Sequence, residues 1–335
     1  MAQARRTRPT GERANLYEQI TNRIIAELEA GRVPWVQPWV SSRAAIGMPY
    51  NAVSNRRYSG LNILTLWNAV VERGFAGHAF LTFRQAVALG GSVRRGEHGV
   101  GIIYTRRFIP GEERRRAENE GREPSGGIPF LKSFTVFSVE QCDGLPAHIC
   151  EPPPPIPDGL ILPQAEALIE ATGADFRIGG SMAYYSPRHD YVQVPRPDDY
   201  FDPVNWHRTA FHELGHWAGG PSRLNRDQTG SFGSVAYGKE ELVAEMTGAF
   251  VCAALGIVPT VRHTDYLGSW LEIIREDSRA ILRAASAASK AADYLLAFRP
   301  EIAGAANDDD PDPDPDCAMA LGAKLTADKR LGAAA

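Results

Sequence analysis

The chain has 335 residues, of which 44% are apolar and 23% are charged, an ordinary composition for a soluble globular protein. This length is too great for one small core and suits two domains with tails. No stretch approaches the roughly 18 to 20 uncharged apolar residues that a bilayer crossing requires, so we expect no membrane association.

The formal net charge of −4 hides an uneven distribution of charge along the chain. The first 116 residues contain 18 arginines, no lysine and 8 acidic residues, whereas the stretch 307–316 is rich in aspartate. A basic half beside an acidic half indicates that only the first half meets a polyanion. The N-terminus lacks the apolar region of a secretory signal and the four cysteines form no CxxC pair, so we expect a cytoplasmic protein.

The first half of the chain combines helical and strand patterns after a basic arm, 1–13, that we expect to be disordered. Apolar residues at three- and four-residue steps predict helices over 15–30, 60–73 and 82–89. Gly31 is a suitable stop for the first helix, and Thr82 is a suitable N-cap for the third. Alternating β-branched and aromatic residues predict strands over 99–108 and 130–139. We interpret the charged, glycine-rich stretch between them, 110–127, as a long exposed loop.

The proline-rich run 151–158 is a stiff spacer and marks the domain boundary. It divides a basic domain, 14–150, from a second domain, 159–302, and a disordered acidic tail follows over 303–335. The second domain has predicted strands over 176–178 and 191–194. Its predicted helices cover 162–172, 205–219, 239–255 and 266–298, the last with a break. Together these patterns predict an α+β fold with two domains.

The segment His212-Glu213-Leu214-Gly215-His216 predicts a metal site on a helix. Positions i and i+4 lie on one helix face, so His212 and His216 can direct imidazole nitrogens at the same ion. Glu213 can reach a water on that ion and act as general base. A catalytic zinc site needs a third protein ligand and leaves the fourth position open, so we expect one Zn²⁺.

The downstream helix offers that third ligand. Glu241 and Glu245 share a face at i, i+4, so either could bind the ion while the other orients a histidine. We favour Glu241 and keep Glu245 as the alternative, and we interpret Glu240 as a solvated residue. Tyr185 is a candidate for stabilising an oxyanion with its phenol.

The basic half combines cations with aromatic rings, the two ingredients of single-strand binding. Positive side chains follow phosphates, and bases stack on flat rings. The candidate DNA-binding residues are Trp35, Trp39, Arg56, Arg57, Tyr58, Asn62, Arg84, Gln85, Arg94 and Arg95. The alternative is that the tryptophans are core residues and the arginines are solvated.

With these motifs in order, the chain resembles the ArdC-type antirestriction proteins of conjugative plasmids and the related primase-like and polyvalent proteins. The shared pattern spans roughly residues 15 to 300. In the first domain it includes 17–21, 34–39, 57–62, 82–86, 90–97 and 136–145, and in the second 185–187, 212–216, 222–224 and 239–245. The stretch 110–127 and the acidic tail depart from that pattern.

The resemblance implies an N-terminal domain that binds single-stranded DNA and a C-terminal zincin-like metallopeptidase domain. The expected role is protection of incoming mobile-element DNA, with a protein or peptide as a further candidate substrate. One rival hypothesis is a non-enzymatic protein that coats single strands and keeps a structural metal. A metal-dependent nuclease is less favoured, because nuclease sites usually cluster carboxylates.

Overall fold

A computed structural model describes residues 11–36, 43–108, 111–122, 128–151, 158–259 and 267–303. Trp39, most of the predicted basic arm, most of the proline-rich run and nearly all of the acidic tail lie outside these residues. The first helix begins at Gly11, four residues before the predicted start and within the predicted arm.

Helices and short strands occur in both halves of the chain, and the predicted α+β class is confirmed. In chain order the helices are α1 Gly11–Glu29, α2 Leu61–Arg73, α3 Phe83–Ala88, α4 Gly111–Asn119, α5 Ala147–Cys150, α6 Asp158–Ala171, α7 Val204–Ala218, α8 Val235–Ala254, α9 Leu267–Glu276, α10 Ala280–Leu296 and α11 Pro300–Ala303. The strands are β1 Tyr50–Asn51, β2 Ala79–Thr82, β3 Ser92–Val93, β4 Val100–Phe108, β5 Ile128–Ser138, β6 Cys142–Asp143, β7 Asp175–Ile178, β8 Tyr184–Ser186 and β9 Tyr191–Val194.

The chain forms two compact units that are interleaved in sequence. The first unit combines the described residues up to Tyr50, the segment Arg57–His78 and the described residues from 158 onward. The second unit combines Asn51–Arg56 with the described residues from 79 to 151. The sequence instead predicts two consecutive domains, because the local patterns of α1 and α2 do not reveal which elements they pack against.

The first unit is a helical core with one small sheet. Helix α8 packs between α7 and α10, while α2 packs on α10 and α1 packs on α9. Aromatic pairs join these layers edge to face: Trp35 lies 5.5 Å from Trp270 and Trp67 lies 5.7 Å from Phe250, measured between ring centroids. Edge-to-face contact is one of the preferred arrangements of aromatic rings in a core, because the positive edge of one ring meets the negative face of the other.

A three-stranded sheet of order β7-β9-β8 packs on α7 in the same unit. Strands β7 and β9 are parallel, and β8 pairs with β9 in antiparallel register, with Tyr185 opposite Val192. Val192 and Val194 are fully buried, as expected for alternate residues on one face of a strand. Strand β8 was not predicted, because three residues are too short to show an alternation.

The second unit is built on a sheet in which the strands lie in the order β2-β5-β4, with a separate β3-β6 pair. Strands β4 and β5 pair in antiparallel register from Val100 and Val136 to Phe108 and Ile128. Helix α3 starts with a capping box in which Thr82 and Gln85 satisfy each other's backbone amides, as its N-cap pattern predicts.

The stretch 110–127 is not wholly a loop, because it contains α4. Glutamates in its first turn and an arginine in its last complement the helix dipole. Arg122, just beyond the helix, also pairs with Glu113 at 2.8 Å. Helix-forming residues therefore outweigh the high charge that led to the loop interpretation.

Among the helices that the structure describes, none combines the length and the apolarity that a bilayer crossing requires.

The burial of Trp35 leads to a stability prediction. The Trp35→Ala variant should lose about 3–5 kcal/mol of unfolding free energy, because a large cavity opens against Trp270. Urea unfolding followed by circular dichroism measures this loss, with Trp35→Phe as the control that keeps an aromatic ring and should lose less. A Trp35→Ala midpoint equal to that of the wild type would show that this ring does not belong to the core.

Candidate metal centre

The centre lies where α7 and α8 approach closely. A Cβ atom on Gly215 would lie 3.3 Å from the Ala244 Cα atom, and one on Gly248 would lie 3.3 Å from the His212 nitrogen. The two glycines therefore remove side chains from the contact and let the helix backbones come together. This approach brings the glutamates of α8 against the histidines of α7.

His212 and His216 lie one turn apart on α7, with ring centroids 5.0 Å apart and planes inclined by 81°. Both Nε2 atoms face the Glu241 carboxylate, at 3.4 Å from Glu241 Oε2 for His212 and 3.4 Å from Oε1 for His216. One donor atom from each residue lies within 4.8 Å of the other two, in a buried or nearly buried position. The two imidazole nitrogens and one carboxylate are therefore placed so that they could hold a metal ion together.

The other nitrogen of each imidazole also lies close to a carboxylate. His212 Nδ1 lies 3.3 Å from Glu245 Oε2, and His216 Nδ1 lies 3.3 Å from Glu240 Oε1. Of the two alternatives for the third ligand, Glu241 is favoured by its position, because it faces both Nε2 atoms. Glu245 instead lies on the Nδ1 side of His212. A carboxylate in that position fixes the tautomer and orientation of a ligand histidine.

Glu240 is not solvated, so its interpretation as a surface residue was wrong. Its side chain is 11% exposed and accepts hydrogen bonds from Arg226 Nη2 at 2.6 Å and Gln228 Nε2 at 3.0 Å. Arg226 also donates to the Gly215 carbonyl at 2.6 Å, and Gln228 donates to the His216 carbonyl at 2.7 Å. The sequence does not predict that Arg226 and Gln228 bind Glu240, because both residues lie in an irregular segment between the helices.

The carboxylates create a strong preference for positive charge. Burial would lower the pKa of His212, but hydrogen bonds with Glu241 and Glu245 raise it to about 10. The pKa of His216 is raised to about 9 in the same way by Glu240 and Glu241, against the effect of burial. Burial would raise the pKa of Glu240, yet hydrogen bonds with His216 and Arg226 lower it to about 2.

This charge balance fits a divalent cation. Glu213, Glu240, Glu241 and Glu245 place four carboxylates around the histidines, and Arg226 supplies one cation. Buried charges are costly unless they are paired or bind a metal. With neutral imidazoles, a divalent ion would bring the cluster close to neutrality, so the residues fit the metal that their spacing predicts.

Glu213 is buried and lines two neighbouring cavities that both include His212. The first, of about 800 Å³, extends past Met182 and Tyr200, and the second, of about 380 Å³, contains His216 and Glu241. The Glu213 side chain therefore borders both the ligand cluster and the adjoining cavities.

Tyr185 also lines the second cavity, but its hydroxyl is engaged elsewhere. It donates to Asp190 Oδ1 at 2.8 Å and accepts from Arg223 Nη2 at 3.0 Å. Burial and the hydrogen bond to Asp190 raise the pKa of Tyr185 to about 12. The bond to Asp190 would have to break before Tyr185 could donate to an oxyanion.

The predicted DNA-binding residues do not form one surface. Four of them are buried, which corrects their assignment as residues that contact a DNA strand: Trp35, Tyr58, Asn62 and Gln85. Trp35 packs on Trp270, while the Gln85 amide is used by the α3 cap and by Asn51. Arg57 is partly buried and belongs to the first unit.

The exposed members of the predicted set lie together in the second unit. They are Arg56, Arg84, Arg94 and Arg95. Arg94 pairs with Glu97 at 2.9 Å and with Asp143 at 3.5 Å. The aromatic component that the sequence prediction assigned to Trp35 and Tyr58 is therefore not supplied by those side chains.

Two family models match the chain in succession. The N-terminal domain of anti-restriction factor ArdC matches residues 14–137, and the zincin-like metallopeptidase matches residues 163–287. Two crystal structures of the antirestriction ArdC protein from the R388 plasmid are also similar to this chain. The metal-free structure has a TM-score of 0.70 at 34% identity and covers 86% of this chain and 98% of ArdC. The Mn(II)-bound structure has a TM-score of 0.69 at 35% identity and covers 84% and 97%.

Proteins that are similar to this chain in sequence point to the same family. The uncharacterized protein y4eC of Sinorhizobium fredii is 37% identical over 302 residues, which are 87% of this chain and 96% of y4eC. The DNA primase TraC of Escherichia coli is 35% identical over 297 residues, covering 84% of this chain but only 27% of TraC. This chain thus spans about a quarter of TraC and nearly all of y4eC.

Fold and site define an antirestriction protein with a zincin-like metal-binding domain. The chain belongs to the ArdC family of antirestriction proteins.

The carboxylate behind His216 yields a prediction about metal affinity. The Glu240→Gln variant should bind Zn²⁺ about 10- to 100-fold more weakly, because the imidazole loses a charged hydrogen-bond acceptor. Isothermal titration calorimetry with Zn²⁺ measures the change. The matched control is Glu170→Gln on the exposed surface of α6, which should bind as the wild type does. Equal affinity of the Glu240 variant and the wild type would refute its orienting role.

Proposed function

We propose that this protein binds single-stranded DNA through its second unit and hydrolyses a peptide bond at the metal centre of its first. Together these activities would protect incoming mobile-element DNA. The observation that carries the catalytic part is the convergence of His212, His216 and Glu241 beside the buried Glu213. The exposed arginines of the second unit support the DNA-binding part.

We assign the ligand set to His212, His216 and Glu241, with Zn²⁺ as the ion. Two imidazoles and a single carboxylate suit zinc, whereas manganese favours sites richer in oxygen ligands. One of the R388 ArdC crystal structures is Mn(II)-bound, so competition between Zn²⁺ and Mn²⁺ for this protein is a direct test of the identity of the metal.

When bound, zinc would polarise the scissile carbonyl and bring the pKa of a water molecule to about 7. The role of Glu213 is to accept the proton of that water and later deliver it to the leaving amine. Glu240 and Glu245 hold the imidazoles in the tautomer that presents Nε2. Arg226 keeps Glu240 in place and balances part of its charge.

The proton-transfer role of Glu213 gives a catalytic prediction. With fluorescein-labelled denatured casein as substrate, Glu213→Gln should lower the zinc-dependent cleavage rate by at least about 100-fold, because the general base is lost. The variant should keep one zinc per chain. If its rate equalled that of the wild type, Glu213 would not be the base.

The rival hypothesis is a strand-coating protein in which the metal is structural. A conjugation assay into a restricting recipient separates the two hypotheses. Under our proposal, Glu213→Gln and His212→Ala both lose protection. Under the rival, Glu213→Gln protects fully while His212→Ala does not.

The assignment of DNA binding to the second unit gives a further prediction. His212→Ala should lose zinc but bind a labelled single strand as tightly as the wild type, because His212 lies in the first unit. Fluorescence anisotropy at two salt concentrations, with duplex as competitor, measures this binding. Parallel loss of zinc and DNA affinity would contradict a division of the two activities between the units.

A further inference from the structure

An exposed aromatic ring lies on α3, in the second unit. Of the described large apolar residues of this unit, Phe83 and Val87 are more than half exposed, at 55% and 53%. Arg84 is exposed between them, whereas Gln85 and Ala86 are buried. The 100° step of a helix puts Phe83, Arg84 and Val87 on one side, so α3 presents an apolar and cationic face outward.

This face is held in place from beneath. Thr82 and Gln85 form the capping box, and the Gln85 amide also bonds to Asn51, with Asn51 Nδ2 at 3.1 Å from Gln85 Oε1. Asn51 Oδ1 in turn accepts from the Val53 and Ser54 amides at 3.0 Å. These hydrogen bonds attach the turn 51–56 to α3. Because this part of the backbone is already ordered, ligand binding would cost little conformational entropy there.

Two arginine-bearing segments adjoin α3. The turn 51–56 ends in Arg56, and β3, which packs on α3, is followed by Arg94 and Arg95. The segments 51–56, 83–88 and 92–96 contain four arginines and no acidic residue. Arg84 and Arg95 make no hydrogen bond or ion pair with any other described residue.

A solvent-exposed phenylalanine among cations suits an unpaired nucleic-acid strand. Each base offers a flat face that can stack on the ring, and the arginines can contact phosphates on either side. In a duplex the base faces are already stacked on each other, while the phosphates stay accessible. An exposed ring would therefore distinguish single strands from duplexes, whereas arginines attract both.

Building on the DNA binding proposed above, we propose that Phe83 is the stacking residue by which the second unit selects single-stranded over duplex DNA, with Arg84 and Arg95 contacting phosphates. Neither the metal centre nor the buried tryptophans take part. Arg84 is among the DNA-binding residues that the sequence predicts and Phe83 is not, because a phenylalanine that opens a helix usually belongs to the core.

The test uses the full-length protein with three DNA probes: a labelled oligo-dT strand, a duplex of equal length, and a strand of the same length made of abasic sites. Anisotropy titrations compare the wild type with Phe83→Ala, Phe83→Trp, Phe83→Leu and Val87→Ala, and with the Arg84→Ala, Arg95→Ala double variant. Thermal melting checks that each variant is folded. Because all the substituted side chains are exposed, we expect the variants to fold as the wild type does.

We expect Phe83→Ala to weaken oligo-dT binding about 5- to 150-fold, the loss that corresponds to one base stack. Its affinities for the duplex and the abasic strand should not change. Phe83→Trp should retain oligo-dT binding, Phe83→Leu should resemble Phe83→Ala, and Val87→Ala should bind as the wild type does. The double arginine variant should weaken all three probes and reduce the salt slope on the single strand by about 1.4.

Two results would overturn the proposal: Phe83→Ala binding oligo-dT as tightly as the wild type, or Phe83→Ala losing duplex and single-strand affinity equally. Either result leaves DNA binding by this unit intact. Failure of the wild type to bind oligo-dT at low salt is a different outcome, and it would refute the proposed function itself.

Discussion

The structure of the first unit depends on the close approach of α7 and α8. Gly215 on one helix and Gly248 on the other contribute no side chain to the contact, so the two helix backbones approach closely. At that spacing a glutamate side chain of α8 reaches across to an imidazole of α7. Wider separation would leave the imidazoles and carboxylates buried but out of reach of each other, which is the costly arrangement for charged groups.

The close approach of α7 and α8 also explains why several carboxylates lie next to the two histidines. Glu240, Glu241 and Glu245 all project from α8 toward the two histidines, and each contacts a different set of imidazole nitrogens. Glu241 faces the Nε2 atoms, and the other two face the Nδ1 atoms from behind. Arg226, inserted from the segment that follows α7, prevents this concentration of negative charge from being unbalanced on one side. The result is a cluster in which every nitrogen of the two histidines has a carboxylate neighbour.

Local patterns in the sequence predict the parts of the site that lie on one helix. The one-turn spacing of His212 and His216 depends only on helical geometry, and so does the shared i, i+4 face of Glu241 and Glu245. The Thr82 cap of α3 is equally local. These features follow from neighbours within a few residues of each other.

Exposure of aromatic and arginine side chains is not local, and sequence reasoning was least successful there. Trp35 and Tyr58 look like stacking residues beside arginines, yet they are buried in the first unit. Phe83 looks like a core residue and is exposed. Likewise, nothing near Glu240 in sequence indicates Arg226 and Gln228, which meet it only because the irregular segment after α7 folds back. Burial of this kind is decided by which distant elements meet.

The interleaving of the two units has a consequence for how such chains evolve. Helices α1 and α2 belong to the region matched by the N-terminal ArdC model, but they pack with α9 and α10 of the zincin-like half. A recombination event at the proline-rich run would separate Trp35 from Trp270 and Trp67 from Phe250. Both products would then expose aromatic surface that had been core. The two halves should therefore be inherited as one module, and y4eC and TraC, which differ greatly in the share of their length that aligns, both match more than four-fifths of this chain.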